Sequence, residues 1–170
     1  MEKINELQEF LKTPKNIVIT THQKPDGDAM GSSLALYNYL QSFGHNIRVI
    51  SPTEYPTYFS YLPSYDEVWN YLENPSLSQI AIEAADLIFC LDFNDLKRIE
   101  PLNEFILKNT TTKLILLDHH LYPAIKADWM LHDVKASSTC ELVFRFLEFF
   151  DADYKITKEV AECIYTGLLT

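Results

Sequence analysis

A short β-branched run, a loop and the start of a helix follow one another in the stretch Asn16-Ile-Val-Ile-Thr-Thr-His-Gln-Lys-Pro-Asp-Gly-Asp-Ala-Met-Gly31. The β-branched residues at 16–21 predict a strand. Residues 22–31 hold two of the four glycines in the chain, so we expect a loop there whose backbone is critical. Apolar residues at helical spacing then predict a helix to Phe43, with Gly44 as its C-terminal cap. Strand, loop and helix in this order indicate an α/β domain.

The same alternation of strands and helices continues along the chain. Further strands are predicted at 47–51, 86–92, 113–118 and, as a weaker edge strand, at 127–132. Helices are predicted at 3–12, 78–85, 99–108, 157–169 and behind the capping-box sequence that runs from Ser138 to Glu141. The inner strands are nearly continuous apolar runs, which are typical of a parallel sheet covered on both faces. The sequence therefore predicts one doubly wound α/β domain with a mainly parallel sheet and helices on both faces.

Composition and charge narrow the function classes. The chain has 170 residues, 47% of them hydrophobic, which fits one globular domain and is too apolar for a disordered protein. A formal net charge of −10 argues against binding of long duplex nucleic acid and suits a protein that holds divalent cations or one that is simply soluble. The three cysteines form no CxxC pair, and we find neither a signal-peptide pattern nor an apolar run near the ~20 residues that span a bilayer. We therefore expect a reduced, cytoplasmic protein with no membrane partner.

Residue types that ligate metals follow three of the predicted strands. Because the carboxyl ends of parallel strands meet at one edge of a sheet, these side chains are expected to converge there. Taken one at a time, each group has an ordinary explanation as a turn, a helix cap or a pair of surface histidines. Three such groups at one sheet edge instead predict a metal site. The candidate residues are His22, Asp26 and Asp28 after the first strand, Asp92 after the strand at 86–92, and Asp118, His119 and His120 after the strand at 113–118.

The loop at residues 22–31 suits a divalent cation and a phosphate. Pro25 fixes one torsion and Gly27 is expected to permit a tight reversal, so that Asp26 and Asp28 point into the same region. The helix that follows offers free backbone N–H groups to an anion. Carboxylates with a few imidazoles and no neighbouring Cys favour Mn²⁺ or Mg²⁺ over zinc. Two such cations ~3.5–4 Å apart are the usual device for in-line attack at phosphorus.

These motifs resemble those of the DHH phosphoesterase superfamily, and the resemblance covers residues 16–170. Residues 22–32 match its first motif, H-x-x-P-D-G-D-A-x-G-S, at every specified position. Asp92 matches its second motif, an Asp after a hydrophobic strand, and Asp118-His119-His120 matches the motif that names the family. The resemblance implies a Rossmann-like catalytic domain over residues 1–170. It also implies an Mn²⁺-dependent hydrolase with two divalent metal ions, for which Mg²⁺ or Co²⁺ are alternatives to Mn²⁺.

The resemblance further implies roles for the candidate residues. His120 would contact the scissile phosphate and help to protonate the leaving group, and Asp118 would orient the histidines. Arg98 stands where relatives often have an Arg and would pair with a substrate phosphate; an ordinary charge on a helix surface is the alternative. The implied metal ligands are His22, Asp26 and Asp92 for one ion, and Asp28, Asp92 and His119 for the second, so that Asp92 bridges.

One family motif is missing from the 170 residues. Relatives carry a D-T-G-type segment after a helix like Ile164–Thr170, and its Asp completes the second metal site. They also carry a smaller C-terminal substrate-binding domain. We therefore expect this chain to be an N-terminal catalytic domain cut before the fourth motif, with weak or absent turnover by itself.

The expected substrate is a short oligoribonucleotide or a small nucleotide. The Pro-Asp-Gly-Asp loop and the Ser-Ser-Thr segment at 137–139 are similar to those of the bifunctional group that degrades very short RNAs and dephosphorylates 3′-phosphoadenosine 5′-phosphate (pAp). Two alternatives stay open: a cyclic dinucleotide phosphodiesterase, and a domain that binds metal or nucleotide without turnover. An aromatic segment at residues 55–71 is expected to form a local core layer, with base stacking or a homodimer interface as its alternatives.

Overall fold

The computed structural model describes residues 3–150 and 156–170, which form six α-helices and six strands. The helices are α1 (Ile4–Phe10), α2 (Gly27–Leu40), α3 (Pro75–Glu83), α4 (Leu102–Lys108), α5 (Thr139–Phe150) and α6 (Lys158–Leu169). The strands are β1 (Asn16–Thr21), β2 (Asn46–Ser51), β3 (Val68–Asn70), β4 (Leu87–Leu91), β5 (Lys113–Asp118) and β6 (Trp129–His132). None of these helices has both the length and the apolar character that crossing a membrane requires.

All six strands pair in parallel in one sheet, in the order β3-β2-β1-β4-β5-β6. This order confirms the predicted doubly wound α/β fold, including the edge position of β6. From β1 the chain first builds outward through β2 and β3, and it then returns to the other side of β1 to add β4, β5 and β6. The direction of building therefore switches between β1 and β4. In such sheets ligands bind in the crevice outside the carboxyl ends of the strands at this switch point.

Each face of the sheet is covered by its own apolar layer. Ile17 and Ile19 of β1 belong to the layer that includes helices α1, α2, α5 and α6, whereas Val18 belongs to the layer with α3 and α4. Successive side chains of a strand point to opposite faces, so the two layers divide the strand residues between them. β4 is buried along its whole length, which explains the uninterrupted apolar run in its sequence.

Helix α5 begins at a capping-box sequence, as predicted, although only half of the box forms. The Ser138 hydroxyl accepts a 3.0 Å hydrogen bond from the Glu141 N–H, whereas the Glu141 carboxylate accepts from the backbone and hydroxyl of Ser137 rather than from Ser138. The apolar face predicted behind this cap is buried, and its members are Leu142, Val143, Phe146, Leu147 and Phe150.

The helix after β1 begins earlier than the sequence predicts. α2 starts at Gly27, so Asp28 lies in the first turn of a helix and Asp26 is the N-terminal cap. Gly27 does not have a positive φ, unlike Gly44 at 75°, and the predicted tight reversal at Gly27 is therefore wrong. A Cβ at Gly27 would lie 1.8 Å from Oγ1 of Thr170. The glycine thus admits a close approach by the end of α6, a tertiary contact that local sequence patterns do not reveal.

The aromatic segment is divided between core and surface. Phe59 is buried in the apolar layer that includes α2, and the rings of Tyr55 and Tyr65 pack edge to face with their centroids 5.2 Å apart. These three residues agree with the predicted local core layer. Tyr58 and Tyr61 are 69% and 65% exposed and lie outside it.

Candidate metal centre

The carboxyl ends of β1 and β4 are adjacent at the switch point of the sheet. His22 follows β1 directly and Asp92 follows β4 directly, and His22 Nε2 lies 3.4 Å from Asp92 Oδ2. The next strand, β5, ends in Asp118 and is followed by His119, whose Nε2 lies 3.5 Å from the other Asp92 oxygen, Oδ1. Residues predicted at three separate strand ends are thus brought together at one edge of the sheet.

Asp92 lies at the centre of this cluster. Its side chain is 3% exposed, and its φ of 65° is in the left-handed region, which is uncommon for a residue that has a side chain. Asp92 Oδ1 accepts a 2.8 Å hydrogen bond from the hydroxyl of Thr139. Burial by itself would raise the pKa of Asp92, but hydrogen bonds from His119, His22 and Thr139 outweigh burial and hold that pKa well below its usual range. The carboxylate therefore stays ionised despite its burial.

His22 presents one ring nitrogen to two carboxylates. Its Nδ1 lies 2.8 Å from the Gln23 carbonyl oxygen, which can only accept, so Nδ1 carries the proton and Nε2 of the neutral ring is free to ligate. Asp26 Oδ1 lies 3.9 Å from this Nε2 and also accepts a 3.1 Å hydrogen bond from the Ala29 N–H. Burial lowers the pKa of His22, yet its hydrogen bonds and the carboxylate charges raise that pKa overall. Ligand atoms of His22, Asp26 and Asp92 all lie within 4.8 Å of one another.

Asp28 joins the cluster through the N-terminus of α5. Its Oδ2 accepts a 2.7 Å hydrogen bond from the Thr139 N–H and its Oδ1 accepts a 2.8 Å bond from the Cys140 N–H, so it satisfies two free donors of the helix. The same Oδ2 lies 3.7 Å from His119 Nε2. Burial and the negative charge of Asp92 raise the pKa of Asp28 to about 6 against these hydrogen bonds. A cation between the carboxylates would relieve this repulsion.

The two histidines after β5 have different environments. His119 Nδ1 lies 3.3 Å from the Ala136 carbonyl oxygen, and Nε2 is directed toward Asp92. The hydrogen bond to Asp92 raises the pKa of His119 to about 9, although partial burial opposes this. His120 Nδ1 instead lies 2.7 Å from Oδ1 of the fully buried Asp118. His120 Nε2 is therefore the ring nitrogen that is free to contact a substrate. One ring nitrogen of His120 also lies within 4.8 Å of a ligand atom of Asp92 and of His119.

The chemistry of the donor set fits hard divalent cations. Carboxylate oxygens and imidazole Nε2 atoms converge in a partly buried space, which is a set of ligands that Mn²⁺ and Mg²⁺ accept. Cys140 Sγ lies 3.7 Å from the backbone oxygen of Asp28, but burial raises the pKa of this thiol well above its ordinary value. The thiol is buried and donates to that backbone oxygen, so the donor atoms that face the cluster are oxygens and nitrogens.

A cavity of about 290 Å³ opens over the cluster. Arg98 lines it with an exposed side chain that has no described carboxylate within 4.0 Å, so the guanidinium is available to a ligand. Asp118 lies behind His120 and does not line the cavity. The other lining residues are His22, Asp26, Asp28, Asp92, His119, His120, Ser137, Ser138, Gly167, Leu168 and Thr170.

Helix α6 forms one wall of the cavity because glycines let it approach α2 closely. A Cβ at Gly167 would lie 2.2 Å from Cys140 Sγ and 3.1 Å from Asp28 Cα, and a Cβ at Gly31 would lie 2.6 Å from the Cys163 carbonyl oxygen. Side chains at either glycine would push α6 away from the carboxylates. The two glycines therefore position α6 beside the cluster.

Sequence reasoning missed the contacts made by the start of α5 and by the end of α6. The capping-box pattern at Ser138 locates the start of a helix, but it does not say that the Thr139 hydroxyl reaches Asp92. Gly167 and Thr170 line the cavity from a helix whose sequence carries no ligand pattern. The start of α5 could have been placed from topology, since a helix that follows a strand starts near the carboxyl edge of the sheet.

The fold and the site together define a doubly wound α/β domain with carboxylate and imidazole groups gathered at its switch point. Residues 16–168 match the DHH family, N-terminal domain, and the chain belongs to this family, whose members are phosphoesterases. The family resemblance predicted from the motifs is thereby confirmed.

Individual relatives match nearly all of this chain but only part of their own length. The chain is 26% identical over 172 residues to the bifunctional oligoribonuclease and PAP phosphatase NrnA of Thermus thermophilus, covering 99% of this chain and 47% of that protein. It is 25% identical over 171 residues to the cyclic-di-AMP phosphodiesterase GdpP of Bacillus subtilis, covering 96% of this chain and 26% of that protein. The crystal structure of an exopolyphosphatase-related protein from Bacteroides fragilis matches with a TM-score of 0.92 and 37% identity, covering 98% of this chain and 48% of that one. The chain thus spans about half, or less, of the length of these relatives.

Proposed function

We propose that this chain is the metal-holding catalytic domain of a two-metal phosphoesterase. Its substrates are short oligoribonucleotides, pAp or both, and Mn²⁺ is the preferred metal, with Mg²⁺ or Co²⁺ as alternatives. The observation that carries the proposal is the position of Asp92, whose two oxygens face different imidazoles at 3.4 Å and 3.5 Å. A carboxylate shared in this way is suited to bridge two cations.

The proposed ligands form two sets that share Asp92. His22 and Asp26 complete the first set, which the mutual 4.8 Å spacing of the ligand atoms supports. Asp28 and His119 complete the second set, which the 3.7 Å separation of Asp28 Oδ2 and His119 Nε2 supports. A carboxylate has about four acceptor positions, so Asp28 can ligate a cation while it accepts the two N–H bonds from α5.

The remaining chemistry comes from residues beside the proposed ligands. When bound, two cations activate a water for attack and neutralise the charge that develops on the phosphoryl group. His120 is held by Asp118 through its Nδ1 at 2.7 Å, so its Nε2 can hold a proton at the leaving-group oxygen. Asp118 holds that ring in one orientation through this contact. Arg98 is proposed to pair with a substrate phosphate, since its exposed guanidinium lines the cavity.

A short substrate is supported by charge, by size and by similarity. The net charge of −10 disfavours a long polyanionic ligand, and a cavity of about 290 Å³ is near the lower end of the size range of small-ligand sites. The relative from Thermus thermophilus is named as an oligoribonuclease and PAP phosphatase.

The test is Mn²⁺-dependent hydrolysis by the complete gene product of a 5′-phosphorylated diribonucleotide, pAp, a cyclic dinucleotide and pyrophosphate. We expect hydrolysis of the first two, loss of that activity in Asp92→Asn, and wild-type activity in Asp66→Asn, which removes an exposed carboxylate outside the cavity. Wild-type activity in Asp92→Asn would refute the assignment of the site. Metal binding with no hydrolysis of any of the four would favour the alternative of a binding domain without turnover.

A cyclic dinucleotide phosphodiesterase is the second candidate, favoured by the similarity to GdpP. Hydrolysis of the cyclic dinucleotide in preference to pAp would select it.

We also propose that the complete protein contributes a further metal ligand and a substrate-binding domain beyond residue 170. Residues 1–170 alone should therefore hydrolyse the substrate weakly or not at all. The chain's match to about half of the Thermus relative supports this proposal. Robust Mn²⁺-dependent hydrolysis by residues 1–170 alone would contradict it.

A further inference from the structure

Thr139 connects the two buried carboxylates of the cluster. Its hydroxyl donates to Asp92 Oδ1 at 2.8 Å, and its backbone N–H donates to Asp28 Oδ2 at 2.7 Å. The residue is completely buried, so water does not compete for either bond. Because both donors belong to one residue, Thr139 ties the positions of the two carboxylates to each other.

The hydroxyl of Thr139 determines the rotation of the Asp92 carboxylate. The terminal torsion of an Asp side chain is broad and roughly two-fold, so the backbone alone does not fix it. The contacts from the imidazole nitrogens of His22 and His119 to the carboxylate oxygens, at 3.4 Å and 3.5 Å, are longer than the 2.8 Å bond from Thr139 and constrain the carboxylate less. The Thr139 bond has ordinary hydrogen-bond length. It therefore selects the rotation in which Oδ2 faces His22 and Oδ1 faces His119.

The side chain of Thr139 has few accessible rotamers, and the hydroxyls of the two preceding serines make other hydrogen bonds. It is the first residue of α5, and its β-branched side chain has restricted rotamers. The hydroxyl of Ser138 caps the N–H of Glu141, and the hydroxyl of Ser137 donates to the Glu141 carboxylate. Of three consecutive hydroxyl side chains, that of Thr139 is the one that bonds to a proposed metal ligand.

We infer that Thr139 is a positioning residue that holds Asp92 in the orientation in which one carboxylate serves two cations. The inference rests on the proposed function, because it takes Asp92 as the shared ligand. Thr139 acts through Asp92 and is not assigned a contact with substrate. Loss of a group that orients a metal ligand typically weakens metal binding 10–100-fold.

The test compares Thr139→Val, which removes the hydroxyl and keeps the shape, with Thr139→Ser, which keeps the hydroxyl. Thr112→Val is the matched control, because that hydroxyl bonds to the Ala85 carbonyl oxygen at the opposite edge of the sheet. Mn²⁺ binding to the complete gene product is measured by calorimetry, and coupling between the two ions by electron paramagnetic resonance. We expect Thr139→Val to bind Mn²⁺ 10–100-fold more weakly and to lose the coupled-pair spectrum, whereas Thr139→Ser and Thr112→Val retain both.

Wild-type Mn²⁺ affinity and an intact coupled spectrum in Thr139→Val would overturn the inference. Equal losses in Thr139→Ser and Thr139→Val would also overturn it, because the hydroxyl would then not be the determining group. If circular dichroism shows that Thr139→Val is unfolded, Thr139→Ala against Thr139→Ser isolates the same hydroxyl and decides by the same criteria. Failure of the wild-type protein to bind two Mn²⁺ ions would overturn the proposed function and, with it, this inference.

Discussion

Replacing Gly167 with Ala tests the close packing of α6 against the metal-binding carboxylates. The added Cβ would lie 2.2 Å from Cys140 Sγ, 3.1 Å from Asp28 Cα and 3.2 Å from Asp28 Oδ1. In an uncrowded helix the same change stabilises by up to ~1 kcal/mol, whereas overpacking a buried site costs typically ~1–3 kcal/mol. Because one of the crowded atoms is backbone, we expect the clash to dominate, with a net loss of about 1–2 kcal/mol in the free energy of unfolding.

Urea denaturation of Gly167→Ala, Cys140→Ala and the double variant measures this effect. Removing the Cys140 sulfur relieves the shortest contact, so the double variant should be more stable than the sum of the two single effects by ~0.5–3 kcal/mol. The rescue should be partial, because Asp28 Cα stays 3.1 Å from the new Cβ. A Gly167→Ala variant at least as stable as the wild type would show that α6 is not tightly packed at this position, as would strict additivity in the double variant.

The metal-free chain should lose stability as the pH rises from 6.5 to 9, because folding raises the pKa of His119 to about 9. The protonated ring stabilises the fold fully below the pKa that His119 has in the unfolded chain, and this stabilisation is lost as the pH rises through the folded pKa. Denaturation midpoints across this range should show the slope, and His119→Gln should flatten it. Mn²⁺ affinity should rise over the same range, because the metal must displace that proton; calorimetry at two pH values measures it. Asp26→Ala should lower the free energy of unfolding by ~0.5–2 kcal/mol, because it removes the cap on the Ala29 N–H, and it should also weaken Mn²⁺ binding. Asp26→Asn should keep most of the capping and lose only the charge. Phe146→Ala should lower the free energy of unfolding by ~3–5 kcal/mol, because it leaves a cavity in the core. The number of Mn²⁺ ions bound by the folded protein should not change.

Each of these expectations has a clear contrary result. A flat pH profile in the wild type would count against the His119–Asp92 contact. Equal Mn²⁺ binding by Asp26→Asn and the wild type would remove Asp26 from the proposed ligands. A Phe146→Ala protein that unfolds no more readily than the wild type would show that this position is not part of a packed core.

The strands and their terminal residues were predictable for a specific physical reason. A strand covered on both faces, such as Leu87–Leu91, has no polar positions, so the first polar residue after it, Asp92, marks the point where the chain leaves the core. The predicted parallel arrangement then brings His22, Asp92 and His119 to one edge without any knowledge of side-chain contacts.

The contacts that refine the site were not predictable, because they join positions far apart in the sequence. Asp28 accepts hydrogen bonds from residues more than 100 positions later, at the start of α5. Gly27 faces the side chain of Thr170 just after α6, and this close contact is not visible in the local sequence around the glycine. Such contacts depend on where α5 and α6 pack on the sheet, and periodicity specifies only which faces of those helices are apolar.

A map of bound metal in the complete gene product tests directly whether Asp92 bridges two cations. Crystals grown with Mn²⁺ and measured at its absorption edge locate each ion by anomalous scattering. We expect two peaks ~3.5–4 Å apart, one on the His22 side of Asp92 and the other on its His119 side. A single peak, or a pair of peaks that does not share Asp92, would contradict this bridging role.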